Sequence, residues 1–79
     1  MLIFNNQKKE QMKKNLKKAI DHLHLGNQFI LDGEKVEWQG WTNDRETIMS
    51  FEYDNGKSRV MKLTLFEDKV YNGEIEIVL

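Results

Sequence analysis

The chain has 79 residues, 39% of them hydrophobic and 32% charged, and its formal net charge at pH 7 is −1. This length predicts one small domain, residues 1–79, that buries only about 60% of the surface its unfolded form exposes. The absence of cysteine excludes disulfides and thiolate zinc sites and fits a reducing cytoplasm, and no stretch approaches the about 20 apolar residues of a membrane-spanning helix.

The first predicted element is an amphipathic helix from about Asn6 to Leu25. Asn5 or Asn6 supplies its N-cap oxygen, and Gly26 ends it in the left-handed conformation. Five apolar residues recur at helical spacing and fill an arc of about 100°, the width typical of a helix on a core. These residues are Met12, Leu16, Ala19, Ile20 and Leu23.

The same helix carries a run of lysines. They are Lys8, Lys9, Lys13, Lys14, Lys17 and Lys18. Residues 1–25 hold these six lysines against two carboxylates, a net +4, whereas residues 26–79 hold six Lys or Arg against eleven carboxylates, a net −5. Exposed lysines on a helix are usually a solvated face, but the helix dipole favours acidic residues in the first turn, where Lys8 and Lys9 lie. The lysines are therefore candidate contacts for an anionic partner: phosphates, an acidic protein surface or a second copy's acidic sheet.

Residues 27–79 alternate with a period of two, which predicts antiparallel strands. Asp32-Gly33 is a strong signal for a two-residue hairpin turn. This turn places four residues on one face of the sheet, where they begin its core. They are Phe29, Leu31, Val36 and Trp38.

The loop lengths decide which later residues share that face. A three-residue loop over 54–56, with Gly56 left-handed, buries one apolar set together, whereas a two-residue loop would separate its members. That set is Met49, Phe51, Tyr53, Met61, Leu63 and Leu65. The same reasoning over 67–69 predicts a fifth strand with Tyr71, Ile75 and Ile77 on the same face.

The predicted fold class is therefore α+β. The N-terminal amphipathic helix packs on one face of a four- to five-stranded antiparallel β-meander that spans about residues 27–79. The sequence carries no family signature that we recognise.

Two tryptophans lie three positions apart around Gly40, in the stretch Glu37–Asp44. Trp38 shares the parity of Phe29, so we interpret it as core. Trp41 follows the glycine and precedes turn residues, where strand parity no longer applies. It is either a lid on the core or an exposed anchor for a partner.

The outer face of the predicted sheet holds more apolar residues than a solvated face needs. They are Ile30, Ile48, Val60, Phe66, Val70 and Val78. If they lie close together they form a protein-binding patch, whereas scattered exposed residues would be ordinary. A free sheet edge, at Gln28–Leu31 or Ile75–Leu79, offers a second place for pairing with another chain.

The sequence contains no pattern for catalysis, a cofactor or a metal. His22 and His24 point in different directions on a helix and cannot share a metal, and there is no glycine-rich phosphate loop or base-positioned nucleophile. We therefore expect a non-enzymatic protein-interaction module without a cofactor. It would be a regulator, adaptor or inhibitor, of a size that phages and other mobile elements carry.

The expected partner is a protein, bound through the outer sheet face and the Trp41 corner, and a homo-oligomer stays open. The alternative is a nucleic-acid-binding domain that uses the six lysines of the helix. The acidic balance of the chain and its only two arginines, Arg45 and Arg59, weigh against that alternative.

Overall fold

The computed structural model of the chain describes the backbone of residues 2–79 and the side chains of residues 10–79. Its elements in chain order are α1 (Leu2–Asp21), β1 (Gln28–Leu31), β2 (Glu34–Trp41), β3 (Ile48–Tyr53), β4 (Ser58–Lys62), α2 (Leu63–Tyr71) and β5 (Ile75–Val78). The five strands form one antiparallel sheet in the spatial order β4-β3-β2-β1-β5. The predicted α+β class is confirmed, and β1 to β4 have the order of a meander.

Two of the three predicted hairpin turns, at residues 32–33 and 54–56, are confirmed, whereas the third, at 67–69, lies in a helix. Leu31 pairs with Glu34, and the two residues between them, Asp32 and Gly33, both have positive φ, as a type I′ turn requires. In the second hairpin, the Tyr53 amide donates to Lys57 across three loop residues, and Gly56 has φ +85°. The odd residues of β3 therefore face the odd residues of β4.

The prediction that the chain continues as strand and loop beyond Lys62 was wrong, because Leu63–Tyr71 is helical. The sequence fits both periods here. Leu63 and Leu65 alternate like strand residues, whereas Leu63, Phe66 and Val70 have helical spacing. The segment forms a helix because this conformation lets one element cover the inner face of the sheet, where Phe66 and Val70 are buried.

The position of the fifth strand also differs from the prediction. Helix α2 leads the chain from the β4 edge to the opposite edge, where β5 pairs with β1. Ile75 and Ile77 still lie on the inner face, opposite Leu31 and Phe29. Because β1 now has a neighbour on each side, Gln28–Leu31 is not a free edge.

A cluster of three phenylalanines joins α2 to the sheet. Phe66 stacks on Phe51 with ring centroids 6.1 Å apart, and its ring meets that of Phe29 edge-on at 5.9 Å. All three rings are at most 1% exposed. Edge and offset contacts of this kind add stability beyond the apolar area they bury. The inner face is therefore covered by α2 itself.

Helix α1 packs mainly against α2 and adds Ala19 to the buried core. It runs from Leu2 to Asp21, earlier at both ends than predicted, so Asn5 and Asn6 lie within the helix and do not cap it. After its end, the Asn27 side-chain amide donates a 2.7 Å hydrogen bond to the His22 carbonyl and turns the chain towards β1. Gly26, with φ +87°, then donates to the carbonyl of Trp38. The glycine therefore starts the sheet rather than ending the helix.

A charged clasp ties the first hairpin turn to the rest of the fold. Asp32 accepts hydrogen bonds from Lys69 of α2 at 3.0 and 3.2 Å and from Arg59 of β4 at 3.2 Å. Its amide donates to the carbonyl of Glu74, just before β5. The hydrogen bonds from Lys69 and, to a lesser degree, from Arg59 lower the pKa of Asp32 below its ordinary value. The Asp32 carboxylate therefore joins the first hairpin turn to β4 and α2, and its backbone amide adds the residue before β5.

If Phe66 joins α2 to the sheet, Phe66→Ala lowers the free energy of unfolding by about 3–5 kcal/mol, the usual cost of removing a buried phenyl ring. The matched control Val60→Ala truncates a side chain that is 63% exposed and changes stability by no more than about 0.5 kcal/mol. Urea unfolding at pH 7 measures both. Equal effects of the two substitutions would contradict the burial of Phe66.

The clasp predicts a pH-dependent difference between the wild type and Asp32→Asn, a replacement that tolerates the positive φ of the turn. A carboxyl whose folded-state pKa is lowered stabilises the fold above its unfolded-state pKa of about 3.9, and that stability is lost as pH falls through the lower folded-state value. We expect the variant to be less stable at pH 7 and the gap to close at strongly acidic pH. Urea unfolding at the two pH values measures this difference in the free energy of unfolding. A difference of the same size at both would show that the Asp32 carboxylate does not stabilise the fold.

Candidate functional site

A β-bulge in β2 determines where the two tryptophans lie. Trp38 pairs with Phe51 but Gly40 pairs with Ser50, so the register shifts by one residue at Gln39. In a regular strand, residues three positions apart face opposite sides. The extra residue of the bulge restores Trp41 to the inner face, opposite Met49. Both tryptophans therefore lie on the core side of the sheet.

Trp38 is core, as predicted, and is 7% exposed. Its indole N–H has no hydrogen-bond partner among the described residues. Trp41 is half-buried and meets Trp38 edge-on, with ring centroids 6.0 Å apart and an interplanar angle of 82°. It lies over the end of the core and keeps part of its ring at the surface.

The loop after Trp41 is held by one asparagine. The side-chain oxygen of Asn43 accepts from the amides of Thr47 at 3.0 Å and Ile48 at 3.1 Å, and its amide group donates to the Thr47 hydroxyl. The Thr42 amide donates to the carbonyl of Ile48. These bonds fix the start of β3 against the end of β2, so the Trp41 corner has a defined geometry.

Gly40 leaves a shallow floor on the outer face beside this corner. It pairs with Ser50, which pairs in turn with Val60, so the row contains two small residues and then an apolar one. A Cβ on Gly40 would lie 3.5 Å from Leu25 Cδ2. Leu25 therefore borders the same row from the opposite side.

Three apolar side chains surround that floor. Ile48 lies diagonally from Val60, since Ser50 is the register partner of Val60 and such diagonal neighbours are within reach of each other. We call the surface formed by Leu25, Ile48 and Val60, with Gly40 and Ser50 as its floor, the outer patch. Leu25 is 73% exposed and Val60 63% exposed. Sequence reasoning missed Leu25, because it lies in the turn before β1 and no strand parity applies to it.

The other predicted outer-face residues lie elsewhere. Phe66 and Val70 belong to α2 and are buried on the inner face, so their predicted place on the outer face was wrong. Ile30 does lie on the outer face, between Lys35 and Glu76. It is three strands away from Val60, about 14 Å, and does not join the outer patch.

Acidic residues border the outer patch. Glu37 and Glu52 are directly opposite each other in the register of β2 and β3, a like-charge pair that does not stabilise a sheet. Glu52 follows Ser50 by two residues on the same face. The rim of the outer patch is therefore negative on this side, whereas Lys62, the partner of Ile48, borders its opposite side.

The lysines of α1 are available to solvent where they are described. Lys13, Lys14, Lys17 and Lys18 are exposed, and every ion pair among the described side chains involves Asp32 or Lys69 instead. The side chains of Lys8 and Lys9 lie outside the described residues. The four described lysines make α1 a cationic surface.

Among residues 10–79, no three His, Cys, Asp or Glu side chains are grouped so that they would hold a metal ion. His22 lies edge-on against Phe29 at 5.1 Å. Within the part of the chain that the structure describes, neither helix is long and apolar enough to cross a membrane. Searches with the chain find no match to a family model, a curated protein or a solved structure.

The bulge makes Gly40 sensitive to a small substitution. Its φ of +109° is one that side chains rarely adopt, so Gly40→Ala costs about 1–3 kcal/mol of stability through backbone strain. The control Gln39→Ala changes an exposed neighbour and costs no more than about 0.5 kcal/mol. Urea unfolding compares the two variants. A neutral Gly40→Ala substitution would show that the bulge does not need glycine.

Proposed function

We propose that the chain is a small, cytoplasmic, non-enzymatic protein-interaction module that acts as a regulator, an adaptor or an inhibitor. It binds a protein partner through the outer patch, and the contact extends around the end of β2 to the exposed part of the Trp41 ring on the inner face. The observation that carries this proposal is the outer patch itself, where apolar side chains from three separate segments surround a floor of small residues. Exposed apolar surface that is brought together in this way is typical of partner-binding sites.

The shape of the outer patch favours one kind of contact. Gly40 and Ser50 project little above the sheet, while Leu25 and Val60 rise on the two sides. A single apolar or aromatic side chain from a partner would enter this depression and lose its water there. Such central, desolvated anchors supply most of the binding energy in protein interfaces.

The charges at the rim restrict the partner further. Glu37 and Glu52 lie opposite each other beside the floor, and their mutual repulsion is relieved by a cation. A partner that places a lysine or arginine next to its apolar anchor therefore complements this side. Rim charges of this kind mainly change the association rate and its dependence on salt.

The test compares capture from host lysate by three immobilised forms of the protein: the wild type, Ile48→Lys/Val60→Lys, and the control Ile30→Lys. All three substitutions place a lysine on the outer face, but only the double variant alters the outer patch. We expect the wild type and Ile30→Lys to capture the same protein, through nuclease treatment and high salt, and the double variant to lose it. Circular dichroism checks that each form is folded.

Capture that survives the double substitution would remove the outer patch from the proposal. Capture lost only with Ile30→Lys would move the site to the β1 side of the outer face. Trp41→Ala adds a further comparison. Loss of capture by the folded variant places Trp41 in the interface, whereas unfolding shows that its role is to cover the core.

Nucleic-acid binding is a second candidate function, favoured by the four exposed lysines of α1 that form no ion pair with another described residue. A phosphate-binding surface loses affinity steeply with salt, with a log–log slope of about 0.9 per phosphate contact on duplex DNA. Captured material that disappears with nuclease, and binding that is abolished in Lys14→Glu/Lys18→Glu, would favour this function over the first.

A further inference from the structure

Strand β5 is one of the two edges of the sheet, and part of its backbone faces outward. The Asp32 amide donates to the carbonyl of Glu74, which makes this a hydrogen-bonded pair of the antiparallel ladder. Because such pairs alternate, Glu76 also directs its backbone groups to β1. The N–H and C=O groups of Ile75 and Ile77 point the other way, to the free edge.

The two edges of the sheet differ in their charge. Strand β4 carries Arg59 and Lys62, and cations on an edge strand oppose pairing with another chain. The sequence of β5 is IEIV, with no cation and no proline. Of the two edges, β4 carries two cations, whereas β5 carries the single charged residue Glu76.

A cleft of about 320 Å³ adjoins β5. Its lining comes from the end of α2, from α1 and from β5: Asn15, Lys18, Ala19, Val70, Ile75 and Ile77 are among its residues. Glu76 lines the same cleft although its side chain belongs to the outer face. The cleft therefore runs along β5, between this strand and α1.

The wall of the cleft that α1 supplies is cationic. Lys18 lines it directly, and Lys14 lies one helical turn earlier on the same side of the helix. Both lysines are exposed and neither forms an ion pair with another described residue. On the outer side of the same edge lies Glu76, so the two sides of β5 differ in charge.

We propose that β5 binds an extended segment of a partner protein as a sixth strand. Alternate side chains of that segment point into the cleft, where apolar residues meet Ile75 and Ile77 and acidic residues meet Lys14 and Lys18. The remaining side chains face outward beside Glu76 and are neutral or basic. This is strand addition, in which backbone hydrogen bonds give affinity and alternate side chains give specificity.

Charge favours this acidic segment over a second copy of the chain. Two β5 strands paired about a two-fold axis would direct the lysine walls of both α1 helices at the same gap, and like charges there oppose association. The free edge of β5 is the sheet edge opposite β4, and the residues changed in its test are not those of the outer patch. Either site can therefore fail its test without affecting the other.

The probe is a capped peptide of about eight residues, the length of a long strand, in which threonine alternates with valine or glutamate. Valine and glutamate share one face of the extended peptide, and threonine occupies the other. In the control peptide, lysine replaces each glutamate. Binding to the full chain is followed by NMR at low salt, through the amide signals and their hydrogen exchange.

We expect the acidic peptide to bind with saturation and to protect the amides of Ile75 and Ile77 from exchange. The amide of Glu76 is already bonded to β1, so the peptide adds little to its protection from exchange. The double substitution Lys14→Glu/Lys18→Glu reverses the charge of this wall. It lowers the affinity for the acidic peptide about tenfold, the effect of two exposed charge pairs, and makes the lysine peptide the better ligand. Charge reversal at two other lysines of α1, in Lys13→Glu/Lys17→Glu, lowers the affinity for the acidic peptide less.

The proposal is overturned if the acidic peptide does not bind, or if it protects β4 instead of β5. Equal effects of the two double reversals would also overturn it, because the net charge of the chain would then explain the binding. Light scattering measures whether the chain forms a dimer. A dimer that dissociates when the free edge is blocked by Ile77→Pro would show that a second copy, and not an acidic partner, occupies β5.

Discussion

The contact between Phe66 and the inner face of the sheet is the interaction on which the other elements depend. Phe66 joins Phe29 of the first hairpin and Phe51 of the second, so one side chain closes a core to which both hairpins contribute. Helix α2 must cross the inner face to bring it there, and this crossing delivers β5 to the far edge. Helix α1 then packs against α2. A domain this small has few other ways to cover a sheet.

The sequence predicts the two hairpins well because a glycine at each turn readily adopts the positive φ that a tight hairpin loop requires. Gly33 and Gly56 both have positive φ, and the alternation of apolar residues then selects the register. Residues 63–71 give no such local signal. Leu63 satisfies both the strand and the helix period, and the choice between them depends on which element can cover Phe29 and Phe51, a contact distant in sequence. The parity of Ile75 and Ile77 is the same whether β5 pairs with β4 or β1, so it could not locate the strand.

The candidate site was predictable only in part for the same reason. Ile48 and Val60 follow from strand parity, whereas Leu25 joins them through a turn whose path the sequence does not specify. Trp41 depends on a bulge, which reverses the parity of the last residues of β2. The segregation of charge between residues 1–25 and 26–79 was visible at once. In the fold it gives the two proposed surfaces opposite borders, acidic beside the outer patch and cationic beside β5.

The pairing of β5 with β1 has a consequence for synthesis on the ribosome. Translation delivers β1 with the first hairpin, but the strand that covers its second side, Ile75–Val78, is made only after β2, β3, β4 and α2. Until then β1 presents the unpaired backbone groups of Gln28 and Ile30, which later pair with Val78 and Glu76. Exposed strand edges in incomplete chains are prone to aggregate. The interval between these two strands is therefore the period in which a nascent chain most needs protection by a chaperone.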